Sequence, residues 1–259
     1  MHAILLAHGI GEGDEVIVPS FTFIATANCA LFLAAKPVFA DIEEETYGLD
    51  PEDVKERVSS KTKAIIPIHY GGLPCQVREL KEIAEDHGLL LIEDAAESIG
   101  ASIDGRKVGS FGDASMFGFC GNKVTATGEG GMILTDSREV YEKLKLLRSH
   151  GGLETENYLA SVKVMDYVVL GFNWRMSNIT AALGVSQMKK LSEAIEMRRK
   201  NANYLTQKLS EMDGVVPPIV PDGYYHVYQM YTITVKEKKE TRFRLLYSLD
   251  SLSLELFRG

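Results

Sequence analysis

"KAIIPIHY" (Lys63–Tyr70), "VRELKEIAEDHG" (Val77–Gly88) and "LLLIEDAAES" (Leu89–Ser98) follow one another almost without interruption. The first is an apolar run of strand length. The second is amphipathic at helical period and is stopped by Gly88. The third is apolar throughout until Glu93 and Asp94 arrive at its C-terminal end, as expected of a strand covered on both faces. Strand, helix, buried strand is the βαβ unit of a parallel sheet. Working outward, the pattern repeats. On the N-terminal side "EVIVP" and "PVFADI" read as strands, "FIATANCALFLAA" as a buried helix, and "DPEDVKERVSS" as a helix capped by Asp50 with Pro51 at its first position. On the C-terminal side "ASMFGF" and "GGMILT" read as strands and "SREVYEKLKLLRSHG" as a helix. A single long helix is predicted from Ser177 to about Met212, then a Pro- and Gly-punctuated linker, "GVVPPIVPDG", and a strand, "YQMYTITV". The fold class expected is α/β with a central, mostly parallel sheet.

Composition narrows the function. The 259 residues are 45% hydrophobic and 25% charged, ordinary values for a globular protein. With 28 Lys and Arg against 36 Asp and Glu, the net charge is −8 and no basic face offsets it, which argues against a nucleic-acid partner. Cys29, Cys75 and Cys120 are odd in number and widely spaced, so neither a disulfide framework nor a zinc site is expected. No run approaches the ~20 apolar residues of a membrane span, and the N-terminus lacks the features of a signal peptide. A cytoplasmic protein is the expectation.

Open α/β sheets bind ligands at the carboxyl ends of their strands, where the pattern places Glu93 and Asp94. By residue type alone both could cap the next helix, and Lys123 could be a solvated charge. The context of Lys123 points elsewhere: "KVTATGEGGM" (Lys123–Met132) follows an aromatic strand, and its glycines permit tight turns and close backbone approach. A lysine amine and a carboxylate at neighbouring strand ends suit pyridoxal phosphate. That cofactor needs a lysine for a Schiff base, an acid beside its ring nitrogen and an anion site for its phosphate.

The ordered set "GDEVIVPSFTFIATANC", "PVFADI", "IPIHYGGLP", "IEDAAESIGA", "GNKVTATGEGGMI", "LRSHGG" and "GFNWRMSNITAALGVSQM" closely resembles the DegT/DnrJ/EryC1/StrS sugar aminotransferases, from about His2 to Val235. The resemblance implies a pyridoxal-phosphate-dependent fold of the aspartate-aminotransferase type, with a cofactor-binding large domain over 1–212 and a remnant of a small domain over 213–259. It implies Lys123 as the Schiff-base lysine and proton carrier, Asp94 as partner of the pyridinium nitrogen, and Ala96 and Phe23 on the two ring faces. It places Glu97 near the phenolic oxygen and Asn173 on the phosphate of a neighbouring subunit, hence a homodimer with shared sites. The implied reaction moves an amino group from an amino acid, glutamate, to a nucleotide-linked keto-deoxysugar. Arg148 and Arg175 are candidates for a substrate anion, and His150 and His226 are expected near the cleft.

Three departures stand out. The chain starts inside the helix whose preceding turn would bind phosphate. Gly118 stands where a strand hydroxyl is expected, and "TRFRLLYSLDSLSLELFRG" does not read like the family's small domain. They leave an alternative open: a catalytically impaired fragment, or a non-catalytic binding or assembly protein of the same fold. Lys123 itself argues for amino transfer, since the family's dehydratase branch has histidine there.

Overall fold

A computed structural model describes residues 1–153 and 166–235. Its centre is a six-stranded sheet built from β1 (Glu15–Pro19), β2 (Lys36–Ala40), β3 (Thr62–Ile65), β4 (Leu90–Asp94), β7 (Ala114–Gly118) and β8 (Gly131–Leu134). The order is β2-β1-β3-β4-β7-β8. All pairs are parallel except β7 with β8, which run antiparallel across the lysine loop.

Strand alternation sorts apolar residues onto two faces. Val16, Val18, Ile66 and Ile92 join a core with α1 (His2–Ala7) and α2 (Ala25–Leu31) on one face. Ile17, Ile65 and Leu91, their immediate neighbours in sequence, join α3 (Pro51–Arg57) and α4 (Val77–His87) on the other. Burial on both faces explains why these strands read as continuous apolar runs. The helix ends follow their sequence signals: Asp50 accepts from the Glu52 amide, Ser137 caps α5 (Arg138–Arg148) through the Val140 amide, and Gly88 ends α4 at φ 64.

A small antiparallel sheet flanks the main one. β5 (Ser102–Ile103) and β6 (Arg106–Lys107) form a hairpin turned by Asp104 and Gly105, both at positive φ, and β10 (Tyr224–Tyr225) pairs with β5.

Three expectations need correction. The helix from Ser177 is two: α6 (Asn178–Met188) and α7 (Leu191–Leu209), parted at Lys190. α7 buries Ile195, Ala202 and Leu209, whereas α6 buries nothing within this chain, so the two halves answer to different surroundings. "YQMYTITV" is paired only at β11 (Thr234–Val235), against β9 (Val215–Val216). The helix read as buried over 23–35 is α2 alone, half covered, with Phe23, Ile24, Leu31 and Phe32 exposed.

Candidate active site

Chain segments leaving β1, β3, β4 and β7 converge at the carboxyl edge of the sheet. β4 delivers Asp94 directly from the core, leaving it 3% exposed. Its carboxylate accepts from Thr26 Oγ1 on α2 at 2.9 Å and from the Ala96 amide at 3.2 Å. Thr26 is in turn within 2.8 Å of the Thr22 hydroxyl. No lysine, arginine or histidine pairs with Asp94 among the described residues. Burial pushes its carboxyl above the usual range, the Thr26 and Ala96 donors pull it partly back, and the Glu97 charge adds to the rise. The Met1 ammonium also pulls it down by its charge, so the carboxylate already sits in a site that favours a cation.

The turn after β7 brings in the amine. The Lys123 amide closes onto the Cys120 carbonyl at 3.0 Å, and Lys123 Nζ lies 3.0 Å from Glu97 Oε1, with both side chains largely covered. The other Glu97 oxygen accepts from the Gly71 amide at 2.9 Å. Gly71 has φ 61 in the short 3₁₀ turn Tyr70–Gly72, so glycine allows that amide to face the carboxylate. Lys123 thus pairs with Glu97, and Asp94 with the Ala96 amide, the two pairs joined by the short run from Asp94 to Glu97. Gly118 adjoins that run: a Cβ there would meet the Ala96 Cβ at 3.5 Å, ordinary contact distance, so the backbone could carry a side chain.

Phe23 stands at the head of α2, 75% exposed, its carbonyl accepting from the Thr26 amide at 3.0 Å. Asn173 is not brought to either pair. It lies on an exposed segment bridged to Ser149, between Phe172 and Trp174, whose rings stack 4.0 Å apart. Arg175 donates to Ser149 Oγ on the same segment, and the Arg148 carbonyl accepts from the Trp174 amide. His150 is exposed at φ 58, with its amide on the Phe172 carbonyl. His226 is buried, and burial holds its ring down at about 4.

Sequence reading missed Thr26 and the Gly71 amide. Thr26 sits inside a quoted motif, but its partner is 68 residues away and no spacing announces it. His69 was likewise passed over; it is fully buried with Nε2 3.0 Å from Glu93 Oε2.

A mostly parallel sheet carrying a lysine and a buried carboxylate at its carboxyl edge defines an aminotransferase-type α/β fold. Among solved structures, the aminotransferase from Psychrobacter cryohalolentis superposes with a TM-score of 0.89 at 31% identity, covering 97% of this chain and 68% of that one. The profile of the DegT/DnrJ/EryC1/StrS aminotransferase family matches residues 1–255, and the chain belongs to that family. The match reaches past Val235, so the final stretch read as unlike the family is largely included in it; its structure lies outside the described residues. Curated relatives include the GDP-perosamine synthase of Caulobacter vibrioides, 40% identical over 98% of this chain and 67% of the relative. A UDP-N-acetyl-3-dehydro-alpha-D-glucosamine 3-aminotransferase of Acidithiobacillus ferrooxidans is 38% identical over 93% of this chain and 63% of its own length. The chain spans about two thirds of the length of the curated relatives it matches. Aminotransferases of this family are pyridoxal-phosphate-dependent. No helix among the described residues is long and apolar enough to cross a membrane.

Proposed function

We propose that this chain holds the cofactor-binding core of a pyridoxal-phosphate-dependent aminotransferase that moves an amino group from an amino acid, glutamate in our reading, to a nucleotide-linked keto-deoxysugar. One observation carries the reading: the Lys123 amine is held by Glu97, three residues from a buried carboxylate, Asp94, that accepts from Thr26 and Ala96 and pairs with no lysine, arginine or histidine among the described residues. The residues fit the cofactor. Pyridoxal phosphate supplies an aldehyde that condenses with amines and a ring that draws electrons from the carbon beside them. Asp94 would hold the ring nitrogen protonated. Ala96 and Phe23 would bound the ring faces, and Glu97 would face the phenolic oxygen. Lys123, once freed from the cofactor, would carry a proton to and from the substrate carbon.

Asn173 is assigned to the phosphate of a second copy of the chain. Its exposure, and the lack of any bond to either pair in its own chain, support that assignment. So does α6: its Ile179 and Val185 are open to solvent, and such a helix is stable when something covers it. These observations support the assignment of a homodimer with shared sites. We also propose that the residues after Met212 begin the second, smaller unit; its strand β10 lies on β5 of the large one, and Val227 packs among Phe117, Phe119 and Ile195. The two curated relatives act, by their names, on differently activated sugars, GDP-linked and UDP-linked. We therefore assign the substrate class and leave the sugar to measurement.

The test is a half-reaction. The purified chain is loaded with pyridoxal phosphate, given single amino acids, and followed by its visible spectrum. Conversion of the cofactor to its aminated form by glutamate supports the reading. A spectrum that no amino acid changes favours the non-catalytic alternative, for which the missing hydroxyl at Gly118 already speaks.

A further inference from the structure

Glu93 and Asp94 leave β4 together, yet only Asp94 has a role in the reading above. Glu93 points to the other side and is completely buried. Its carboxylate accepts four hydrogen bonds: from the amides of Gly109 at 2.6 Å, Phe111 at 2.7 Å and Gly112 at 2.7 Å, and from His69 Nε2 at 3.0 Å. Burial alone would raise this carboxyl. The His69 bond and the backbone amides outweigh it and hold the group below its usual value, ionised.

His69 is oriented from behind. Its Nδ1 accepts from the Cys75 amide at 3.1 Å. Burial works against charge on the ring, but Cys75 and Glu93 outweigh it and push its pKa up to about 10. With the Cys75 amide directed at Nδ1, the hydrogen on Nε2 is the one aimed at Glu93.

This pair ties together the segments leaving β3 and β4 and the loop that feeds β7. Through its backbone His69 grips the residue beyond Glu93: the His69 amide donates to the Asp94 carbonyl at 3.1 Å, and the Asp94 amide donates to the Pro67 carbonyl at 2.8 Å. Two residues on, Gly71 supplies the amide that holds Glu97. Through Gly109, Phe111 and Gly112, Glu93 fixes the loop that feeds β7, the strand leading to Gly118 and Lys123.

We infer that Glu93 and His69 are a positioning pair, one that sets the mutual placement of Asp94, Glu97 and Lys123 without touching substrate or cofactor. The inference rests on the aminotransferase reading of those three residues. Glu93→Gln keeps the shape. Its amide oxygen still accepts from Phe111 and Gly112, but its NH2 group faces the N–H groups of Gly109 and His69, donor against donor. His69→Leu removes both ring contacts, whereas His69→Gln restores a donor toward Glu93.

Amide hydrogen exchange in the full chain without cofactor is the first readout. The Ala96 amide, bonded to Asp94 Oδ1, reports the placement of that carboxylate. In Glu93→Gln and His69→Leu it should exchange at least about tenfold faster, the least expected from losing one bond to a charged group. Amides of β1 should keep their rates, and His69→Gln should recover most of the loss. The second readout is the visible circular dichroism band of bound pyridoxal phosphate, which should shift in the two disruptive variants and return in His69→Gln. Faster exchange confined to Gly109, Phe111 and Gly112, with Ala96 and the band unchanged, would make the pair a loop clamp and overturn the inference. Should His69→Leu not fold, Glu93→Gln decides by the same two readings. A native chain that shows no cofactor band at all counts against the aminotransferase reading instead, and the exchange rates still judge the pair.

Discussion

Two regions of this molecule are built on opposite terms. At the carboxyl edge of the sheet, the three carboxylates find their partners within the chain: Asp94 has Thr26 and the Ala96 amide, Glu97 has Lys123 and Gly71, Glu93 has His69 and three amides. On the face that carries Asn173 and α6, large apolar groups lie open: Leu170 and Ile179 are 87% and 86% exposed, and among the described residues Trp174 meets Phe172 beside it and an edge of His2. The contrast is the one the proposed function predicts: in that reading Lys123, Glu97 and Asp94 of one copy act with Asn173 of a second, whose approach would cover the open apolar face.

The sharpest way to break the first half of the comparison is Lys123→Ala. Transamination should fall by at least about 10³-fold, because the variant loses both the covalent attachment point and the proton carrier; steady-state assay with a keto-sugar nucleotide reads it. Asp94→Asn comes next. The amide cannot answer a ring cation as a carboxylate does, so turnover should drop by about 10²-fold or more while the Lys123 attachment persists in the spectrum. The second half is tested by Ile179→Asp, which puts a charge into the face assigned to a second copy. Sedimentation should show a shift toward monomer, and cofactor retention after dialysis should fall with it, about tenfold, as Asn173 of the partner is withdrawn.

A smaller effect concerns pH. His226 is held at about 4 in the folded chain against 6.5 unperturbed, so its burial as a neutral ring contributes stability that is whole above pH 6.5 and is lost as pH falls toward 4. The loss is of order 3 kcal/mol. Urea unfolding of the native chain and His226→Asn across that window should show the variant lacking this slope. The smallest is Gly118→Ser, whose new Cβ has ordinary contact with Ala96 and whose hydroxyl is offered to phosphate; cofactor retention should tighten by about tenfold or less.

Much of this was legible in the sequence, for a physical reason. Strands buried on both faces must be apolar throughout, so β1, β3 and β4 announced themselves, and the first charges after such a run had to lie at the sheet's edge. Lys123 and Glu97 were named from separate motifs, and the structure pairs them at 3.0 Å, with Asp94 three residues before Glu97 at the end of β4. What stayed hidden depends on pairs distant in the chain: Thr26 with Asp94, and Glu93 with His69. The break at Lys190 was hidden as well, since the apolar period runs through it. Only the change from a covered helix to an uncovered one requires the turn.

The account stands or falls on which lysine carries the cofactor. The chain incubated with pyridoxal phosphate, reduced with borohydride and digested should yield the pyridoxyl adduct on the peptide containing Lys123, with Asp94→Asn giving the same peptide. Label on Lys107, whose amine now donates to the Gly100 carbonyl at 2.7 Å, or spread over surface lysines with Lys123 unmodified, would contradict it.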